Sequence, residues 1–387
     1  MRGASADRVA GALADRDPLP GADSGARAGI RGFAGELPDG RLVRDVLGRQ
    51  PLFVEGGESG GSDWSFSPAD LADPEPLPAG CVRSESGVER VFSLPEPSPT
   101  REGVPDRDRA VAVRDALAGS LDSVAEAEVE SEAEDADEGD LAVAFSGGVD
   151  STVVASAIDA PLYVVGFPDS HDVSAARRAA RLMGREDDLR VVELDASDLE
   201  RAVPEVARAT GRTNAMDVQI ALPLFLAGQR AARDGHDRLA VGQGADELFG
   251  GYAKVARAPE DPRVEADTVR GATREVIRTL PAQLERDVLA LRAAGVEPVA
   301  PLLDDRVVRA ALGLPGDLLV DSRGERKKAL RLAAREFVPD SVAFREKKAV
   351  QYGSLVAREL DRLARRAGFK RRMDDHVSKY VESRVGG

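Results

Sequence analysis

The most informative stretch of the chain is Leu141-Ala142-Val143-Ala144-Phe145-Ser146-Gly147-Gly148-Val149-Asp150-Ser151-Thr152. An apolar run breaks there into small residues and then resumes with helical spacing, which predicts a buried strand, a tight loop and the start of a helix. Gly147 and Gly148 let the backbone approach an anion closely. Ser146 and Ser151 add hydroxyl donors at the positive end of the helix. The pattern favours a phosphate-binding loop.

This loop differs from the common lysine-containing phosphate loop. No Lys follows the glycines, and Asp150 puts a negative charge where phosphate would require a metal ion beside it. The segment resembles the pyrophosphate loop, S-G-G-x-D-S, of the N-type ATP pyrophosphatases. That resemblance implies cleavage of ATP between the α and β phosphates, and the implied ATP-binding residues are Ser146, Gly147, Gly148, Val149, Asp150 and Ser151. The alternative is an ordinary glycine-rich turn between a strand and a helix.

The composition indicates the environment of the protein. The 387 residues carry a net charge of −15, with 68 acidic residues and 7 lysines among 53 basic residues. We expect a soluble protein of a salt-rich cytoplasm, because an acidic surface stays hydrated and salt screens its self-repulsion. The same charge disfavours nucleic acid as a partner. The basic residues within 365–372 are interpreted as a solvated helix face, with a local basic patch as the alternative.

The sequence lacks cysteine pairs and membrane-spanning segments, and this limits the kinds of site and partner that it predicts. Cys81 is the only cysteine, so the sequence contains neither a disulfide pair nor a C-x-x-C site. No apolar run has the length of a membrane span and no signal peptide is visible, which predicts a cytoplasmic protein without a membrane partner.

Beyond residue 152 the pattern alternates between short apolar runs and amphipathic segments. Strands are predicted at 162–167, 189–194 and 239–241, and helices at 174–183, 199–210 and 222–233. Such alternation is typical of an α/β fold with a parallel sheet and helices on both faces. Ligands bind at the carboxyl ends of strands in such sheets, and both glycine-rich loops, at Ser146 and Gly242, follow predicted strands.

The pattern of the first 140 residues differs from this alternation of strands and helices. Residues 1–28 show no apolar periodicity, so we expect a disordered N terminus whose deletion costs little activity. Residues 29–100 contain short alternating runs separated by Gly and Pro, which predict a small β-rich domain. A helix over 107–121 leads into a second domain, 105–387. Residues 122–140 hold ten acids and no base, which predicts a solvated acidic linker, with a specific partner as the alternative.

The second glycine-rich segment is Gly242-Gln243-Gly244-Ala245-Asp246-Glu247-Leu248-Phe249-Gly250-Gly251-Tyr252. It resembles the segment G-E-G-x-D-E-L-F-G-G-Y of the asparagine synthetases. Further matches to that family lie at 283–287, 295–304, 327–331 and 344–348. The resemblance covers residues 105–360 and implies the pyrophosphate-loop fold of that family with a helical C-terminal region.

The resemblance also implies roles for individual residues. Asp150 and Asp246 match an acidic pair that binds Mg²⁺, and Lys327 matches a pyrophosphate-binding lysine. The remaining positions implied to bind the nucleotide are Val165, Gly166, Gly242 and Gly244. ATP and Mg²⁺ are the implied cofactors, and aspartate and ammonia the implied substrates. The alternatives are loop capping for each Asp and a surface charge for Lys327.

The β-rich domain resembles a shortened glutaminase domain of the glutamine-hydrolysing asparagine synthetases, through residues 42–53, 66–68 and 77–80. The nucleophile of that domain is an N-terminal Cys with its own amine as base. Arg2 occupies that place here, and Cys81 has no terminal amine. We therefore expect a remnant that does not hydrolyse glutamine, with an unrelated β-rich domain as the alternative. A separate glutaminase and a second copy of the chain are the protein partners left open.

Three departures from the family concern substrate handling. Gln243 stands where most members have Glu, and an amide cannot act as a general base. Val241 replaces a common Ser, and Val299 replaces an Arg. The leading hypothesis is an amidoligase that adenylates aspartate and amidates it with ammonia, with Lys327, Gln243 and Asp246 as catalytic residues. The alternatives are a related ligase for another carboxylate or amine, and a non-catalytic nucleotide-binding descendant.

Overall fold

The computed structural model describes residues 1–23, 29–56, 63–95, 105–134, 140–168, 170–258, 266–345 and 351–386. Within these ranges no helix combines the length and the apolar character needed to cross a bilayer.

In its described residues, the N-terminal part combines one α-helix with two small antiparallel sheets. Its elements are α1 (Ala6–Asp15), β1 (Ala34–Glu36), β2 (Leu42–Arg44), β3 (Phe53–Glu55), β4 (Trp64–Ser65), β5 (Pro74–Pro76), β6 (Cys81–Ser84) and β7 (Gly87–Arg90). The strands pair in the orders β1-β2-β6-β7 and β4-β3-β5. Residues 34–90 therefore have the β-rich character that the sequence predicted, and we call them the β-rich part.

The prediction of a disordered N terminus is wrong for residues 1–23. Ser5 caps α1 by accepting a hydrogen bond from the Arg8 amide at 3.4 Å. Val9 and Leu19 are fully buried in the largest hydrophobic cluster, and the Gly21 amide donates to Asp305 Oδ2 at 2.8 Å. The buried apolar residues are few, so the periodic signal in the sequence is short, but each of them packs in this cluster.

The rest of the chain contains a helix followed by alternating strands and helices. These elements are α2 (Asp106–Glu134), β8 (Leu141–Ala144), α3 (Val149–Ala157), β9 (Leu162–Gly166), α4 (His171–Leu182), β10 (Leu189–Glu193), α5 (Ala196–Thr210), α6 (Ala215–Arg233), β11 (Arg238–Ala240), α7 (Ala245–Leu248), α8 (Ala253–Arg257), α9 (Val269–Arg278), α10 (Leu280–Ala293), β12 (Glu297–Val299), α11 (Asp305–Leu312), α12 (Gly316–Leu319), α13 (Lys328–Ala334), α14 (Asp340–Ala343), α15 (Gln351–Arg366) and α16 (His376–Val385).

A parallel sheet lies at the centre of this part. Five of the described strands pair in the order β10-β9-β8-β11-β12, all in parallel. Leu141 and Val143 belong to a hydrophobic cluster with Val153 of α3, whereas Ala142 belongs to another with Leu291 of α10. Successive residues of a strand point to opposite faces, so helices cover both faces. This confirms the predicted α/β fold with a parallel sheet.

The predicted acidic linker is wrong as far as Glu134, because α2 continues to that residue. The side chains that anchor the helix are buried at helical spacing: Val113, Leu117, Leu121 and Val124. This stripe faces α11 and α13. Packing of the apolar stripe, together with the good helix propensity of Glu and Ala, outweighs the repulsion among the acids. Residues 135–139 of the predicted linker lie outside the described residues.

Buried ion pairs fasten the β-rich part to α11. Arg49 contacts Asp45 Oδ1 at 2.8 Å and Asp305 Oδ1 at 2.7 Å, and all three side chains are at most 1% exposed. Burial opposes the charge of Arg49, but the two carboxylates more than offset it and raise the pKa of the guanidinium. Removing one partner of a buried pair typically costs about 3–5 kcal/mol. The two parts therefore form a single structural unit at this contact.

We expect Leu19→Ala to lower the free energy of unfolding by about 2–5 kcal/mol, because it opens a cavity at a fully buried site. Urea denaturation followed by circular dichroism measures the change. Leu182→Ala is the matched control, since Leu182 is 41% exposed. Equal losses in the two variants would contradict the packing of the N-terminal segment.

Candidate functional site

A cavity of about 500 Å³ lies at the carboxyl ends of β8, β9 and β11. The loop that follows β8, which we call the serine–glycine loop (Ser146–Ser151), and the segment 242–252 form one side of it. Helices α6 and α10 form the other side. The apolar wall residues include Phe145, Val165, Ile220, Pro223, Leu224 and Val241. This is the edge of the sheet at which the sequence predicted a ligand site.

The serine–glycine loop is held closed by its own hydroxyl groups. Ser151 Oγ accepts a hydrogen bond from the Ser146 amide at 3.1 Å and lies 3.2 Å from Ser146 Oγ. Gly147 has a φ of +69°, and a Cβ there would come within 2.6 Å of the Ala175 carbonyl oxygen. Gly148 caps α3 without a side-chain hydrogen bond. The first amides of α3 are therefore suited to bind an anion.

A buried lysine between two carboxylates lies beside this loop. Lys327 Nζ is 2.6 Å from Asp150 Oδ2 and 2.8 Å from Asp246 Oδ1. Burial alone would lower the pKa of Lys327, but the two carboxylates outweigh it and raise that pKa above the usual lysine value. Lys327 is thus a fixed cation, and the three residues, which we call the lysine–carboxylate cluster, come from α3, α7 and the start of α13.

The lysine–carboxylate cluster depends on an unusual backbone conformation at Lys327 and on the absence of a side chain at Gly251. Lys327 adopts a φ of +60°, which is unusual for a residue with a side chain. A Cβ at Gly251 would lie 2.0 Å from Asp246 Oδ1 and 2.4 Å from Lys327 Cε. Arg326 donates to the Gly251 carbonyl at 2.6 Å. The close approach of lysine and carboxylate therefore requires glycine at position 251.

The carboxylates of the cluster have the donor chemistry that Mg²⁺ prefers. Asp150 Oδ1 is buried and has no hydrogen-bond partner among the described residues. The described part of the chain contains no group of three or more His, Cys, Asp or Glu side chains placed to hold a metal. Mg²⁺ commonly binds through one or two carboxylates together with substrate phosphates. Asp150 and Asp246 fit that mode of binding rather than a closed protein cage.

A chain of polar contacts connects the segment 242–252 with helix α10 on the opposite side of the cavity. Gln243 Nε2 donates to Asp287 Oδ2 at 2.7 Å, and Arg286 Nε donates to Asp287 Oδ1 at 2.7 Å. Burial raises the pKa of Asp287, although Arg286 opposes this shift. The contact fixes the amide of Gln243, with its nitrogen towards Asp287 and its oxygen available for another partner.

Sequence reasoning gave no role to several polar residues of the cavity wall. Besides Arg286 and Asp287, they include Glu247 and Tyr252, whose hydroxyl donates to the Glu247 carboxylate. Burial raises the pKa of Glu247. A charged Arg-Asp pair within the apolar helix α10 was the available signal, because such residues are rarely buried without a specific partner.

Most of the predicted site residues meet at this cavity. Those in its wall are Ser146, Asp150, Ser151, Val165, Gly242, Gln243, Gly244 and Asp246. Lys327 contacts two of them. The remaining predicted residues are neighbours of wall residues in the sequence but do not line the cavity: Gly147, Gly148, Val149 and Gly166.

The fold and the site define an α/β protein with a serine–glycine loop and a buried lysine–carboxylate cluster at the carboxyl edge of a parallel sheet. A family model described as asparagine synthase matches residues 132–274 and 259–380. The chain belongs to the asparagine synthase family, which confirms the resemblance seen in its motifs.

Named relatives agree with this assignment. A protein of Methanocaldococcus jannaschii, provisionally named glutamine-hydrolyzing asparagine synthetase 1, is 31% identical over 273 residues, which is 61% of this chain and 50% of that protein. Asparagine synthetase B of Escherichia coli is 26% identical over 193 residues, 49% of this chain and 34% of that enzyme. Asparagine synthetase 1 of Saccharomyces cerevisiae is 25% identical over 206 residues, with the same two shares, 49% and 34%. The chain spans half or less of the length of these relatives.

We expect Gly251→Ala to destabilise the protein by about 1–3 kcal/mol, because the added methyl group overpacks the lysine–carboxylate cluster. Differential scanning calorimetry would show a lower midpoint of unfolding. Gly11→Ala is the matched control, since a Cβ at Gly11 in α1 meets no atom within 4 Å. That control should be neutral or slightly stabilising. An unchanged midpoint for Gly251→Ala would contradict the close packing described here.

Proposed function

We propose that the chain is an AMP-forming carbon–nitrogen ligase that activates a carboxylate with ATP and transfers the acyl group to an amine. Aspartate and ammonia are the first candidate substrates, with asparagine, AMP and pyrophosphate as products. The observation that carries the proposal is the lysine–carboxylate cluster beside the serine–glycine loop. A fixed cation, two carboxylates and a helix N terminus converge there, as transfer of a highly charged nucleotide group requires.

The residues of the site have distinct roles in this reaction. The substrate carboxylate attacks the α-phosphorus, and the bond to the bridging oxygen breaks to release pyrophosphate. Lys327, the hydroxyls of Ser146 and Ser151 and the first amides of α3 stabilise the negative charge of that leaving group. Asp150 and Asp246 would hold Mg²⁺, which would supply positive charge to the phosphate oxygens.

The apolar side of the cavity suits adenine. Val165, at the end of β9, and Val241, after β11, lie in its wall, and Gly166 follows Val165 with no side chain to obstruct the base. The serine–glycine loop would then bind the phosphates of ATP, as its resemblance to the pyrophosphate loop of the N-type ATP pyrophosphatases implies. Planar apolar ligands are commonly bound between such side chains, with a few polar groups setting their orientation.

We further propose that the β-rich part is a shortened glutaminase remnant that does not hydrolyse glutamine. Cys81 is buried, and burial raises the pKa of its thiol, which disfavours the nucleophilic thiolate. The guanidinium of Arg2 lies 4.4 Å from the centre of the Phe66 ring, and its backbone pairs with Ala34. Ammonia would then come from solution or from a separate glutaminase.

A second candidate is a related ligase that uses another carboxylate or amine. The contact between Gln243 and Asp287 favours it, because the position that carries a Glu in most of the family here holds an amide committed to a buried acid. An amide orients a nucleophile but does not remove its proton.

Pyrophosphate release tests these proposals directly. The purified chain is incubated with ATP, Mg²⁺ and each of a panel of carboxylic acids, with either ammonium or glutamine as the nitrogen source. We expect turnover with aspartate and ammonium and none with glutamine. Turnover with another acid alone would select the second candidate, and no turnover with any acid would contradict a ligase.

Asp150→Asn and Asp246→Asn are the matched variants for that assay. Each should lower the rate of pyrophosphate release by about 10²–10³-fold, the usual cost of losing one preorganised electrostatic contact. Melting curves and circular dichroism check that the fold survives. Normal rates with reduced stability would mean that these acids only cap their loops.

The Gln243→Glu variant tests how the amine is deprotonated. In the natural protein, with Gln243 unable to accept the proton, activity should rise with pH towards the pKa of ammonium. In the variant, the introduced carboxylate would lie against the Asp287 carboxylate, so the two acids should share a proton. The variant should therefore become more active only at a pH at which that proton is lost.

The double variant Gln243→Glu, Asp287→Asn restores one amide and one carboxylate in exchanged positions. It should therefore be more active than Gln243→Glu alone near neutral pH. The rates of the three proteins are measured over roughly pH 6 to 9, the range in which such groups and ammonium titrate. The shapes of the three profiles show whether residue 243 affects deprotonation of the amine. A flat profile shared by all three proteins would place the base elsewhere.

A further inference from the structure

A second, larger cavity of about 830 Å³ lies between the β-rich part and helices α9 and α10. We call it the arginine cavity, because its charged wall residues are Arg44, Arg90, Arg212, Arg274, Arg278 and Glu285. Among the described residues of this wall, five guanidinium groups accompany one carboxylate, in a chain whose net charge is −15. Such an accumulation raises the local concentration of anions.

Two of these arginines have unused hydrogen-bonding capacity. Arg44 is 2% exposed, and its Nε is buried without a hydrogen-bond partner among the described residues. Burial lowers the pKa of Arg44, and its contacts with Glu285 are long, at 3.4 Å. Arg278 is exposed on the last turn of α9 and contacts no described residue through a hydrogen bond or an ion pair. The Nη atoms of Arg44 also donate to the carbonyls of Leu77 and Gly48. An anion in the cavity would give Arg278 a partner and could replace Glu285 at the Nη atoms of Arg44.

A chain of ion pairs connects the arginine cavity with the candidate active site. Glu285 Oε1 lies 3.1 Å from Arg212 Nη2, and Arg212 Nη1 lies 3.2 Å from Asp217 Oδ2. Asp217 Oδ1 accepts a hydrogen bond from Arg286 Nη1 at 2.9 Å. Arg286 then contacts Asp287, which holds the amide of Gln243. Arg212 belongs both to the wall of the arginine cavity and to this chain.

We propose that the arginine cavity binds a small organic anion with two or more carboxylate or phosphate groups, and that its binding changes the orientation of Gln243. Guanidinium groups recognise carboxylate and phosphate oxygens with paired hydrogen bonds. A bound anion competes with Glu285 for Arg44 and Arg212. Any shift of Arg212 alters its contact with Asp217 and, through Arg286 and Asp287, the hydrogen bond to Gln243.

Isothermal titration of the metal-free protein with citrate and with fructose 1,6-bisphosphate tests the site and separates carboxylate from phosphate ligands. We expect at least one of them to bind, and Arg278→Ala to weaken binding about tenfold, which corresponds to the loss of one charge-assisted hydrogen bond. Arg366→Ala removes another exposed arginine, from α15, and should leave the affinity unchanged. Absence of binding by both anions, or equal affinities for the two variants, would overturn the site.

The Glu285→Gln variant tests the connection to Gln243. It removes the one acid that the described residues contribute to the wall, so it should bind the anion at least as tightly as the natural protein. The anion should change the rate or the pH profile of pyrophosphate release at least twofold in the natural protein and not in Glu285→Gln. This second measurement rests on the proposed function, whereas the titration does not. Binding without a change in rate, or an equal response in both proteins, would overturn the coupling.

Discussion

The buried ion pairs of Lys327 with Asp150 and Asp246 are the constraint on which the site depends. A lysine with its side chain 2% exposed requires both carboxylates at short distance, since an unpaired buried charge costs several kilocalories per mole. The requirement sets the approach of α3, α7 and α13. It also explains the left-handed backbone of Lys327 and the absence of a side chain at position 251, which would otherwise keep lysine and carboxylate apart.

The two ends of the candidate-site cavity differ in electrostatic character. The end near the serine–glycine loop presents a fixed cation and backbone amides, whereas the end near α10 presents a neutral amide held by a buried acid whose pKa is raised. Polyanions and neutral amines require opposite surroundings. The cavity provides these two environments on different structural elements, and the parallel sheet holds both elements at the same edge.

Local patterns account for what the sequence could predict. The apolar strands, the serine–glycine loop and the segment after β11 each carry their signal within about a dozen residues. Asp287 was missed because its significance comes from Gln243, 44 positions away. The helix α1 was missed because only a few of its side chains are buried, and α2 was ended too early because its acids concealed an apolar stripe. Such contacts are determined by tertiary packing, which no short window of sequence contains.

The buried pair formed by Arg49 and Asp305 determines how the chain could be shortened. The α/β part expressed without the β-rich part would lose the guanidinium that neutralises Asp305, which is 0% exposed, and would expose the apolar surface beneath it. The β-rich part is therefore required as a scaffold for α11, whether or not it has chemistry of its own. A designer seeking a shorter chain would first have to replace Asp305 and redesign its surroundings as a solvent-facing surface.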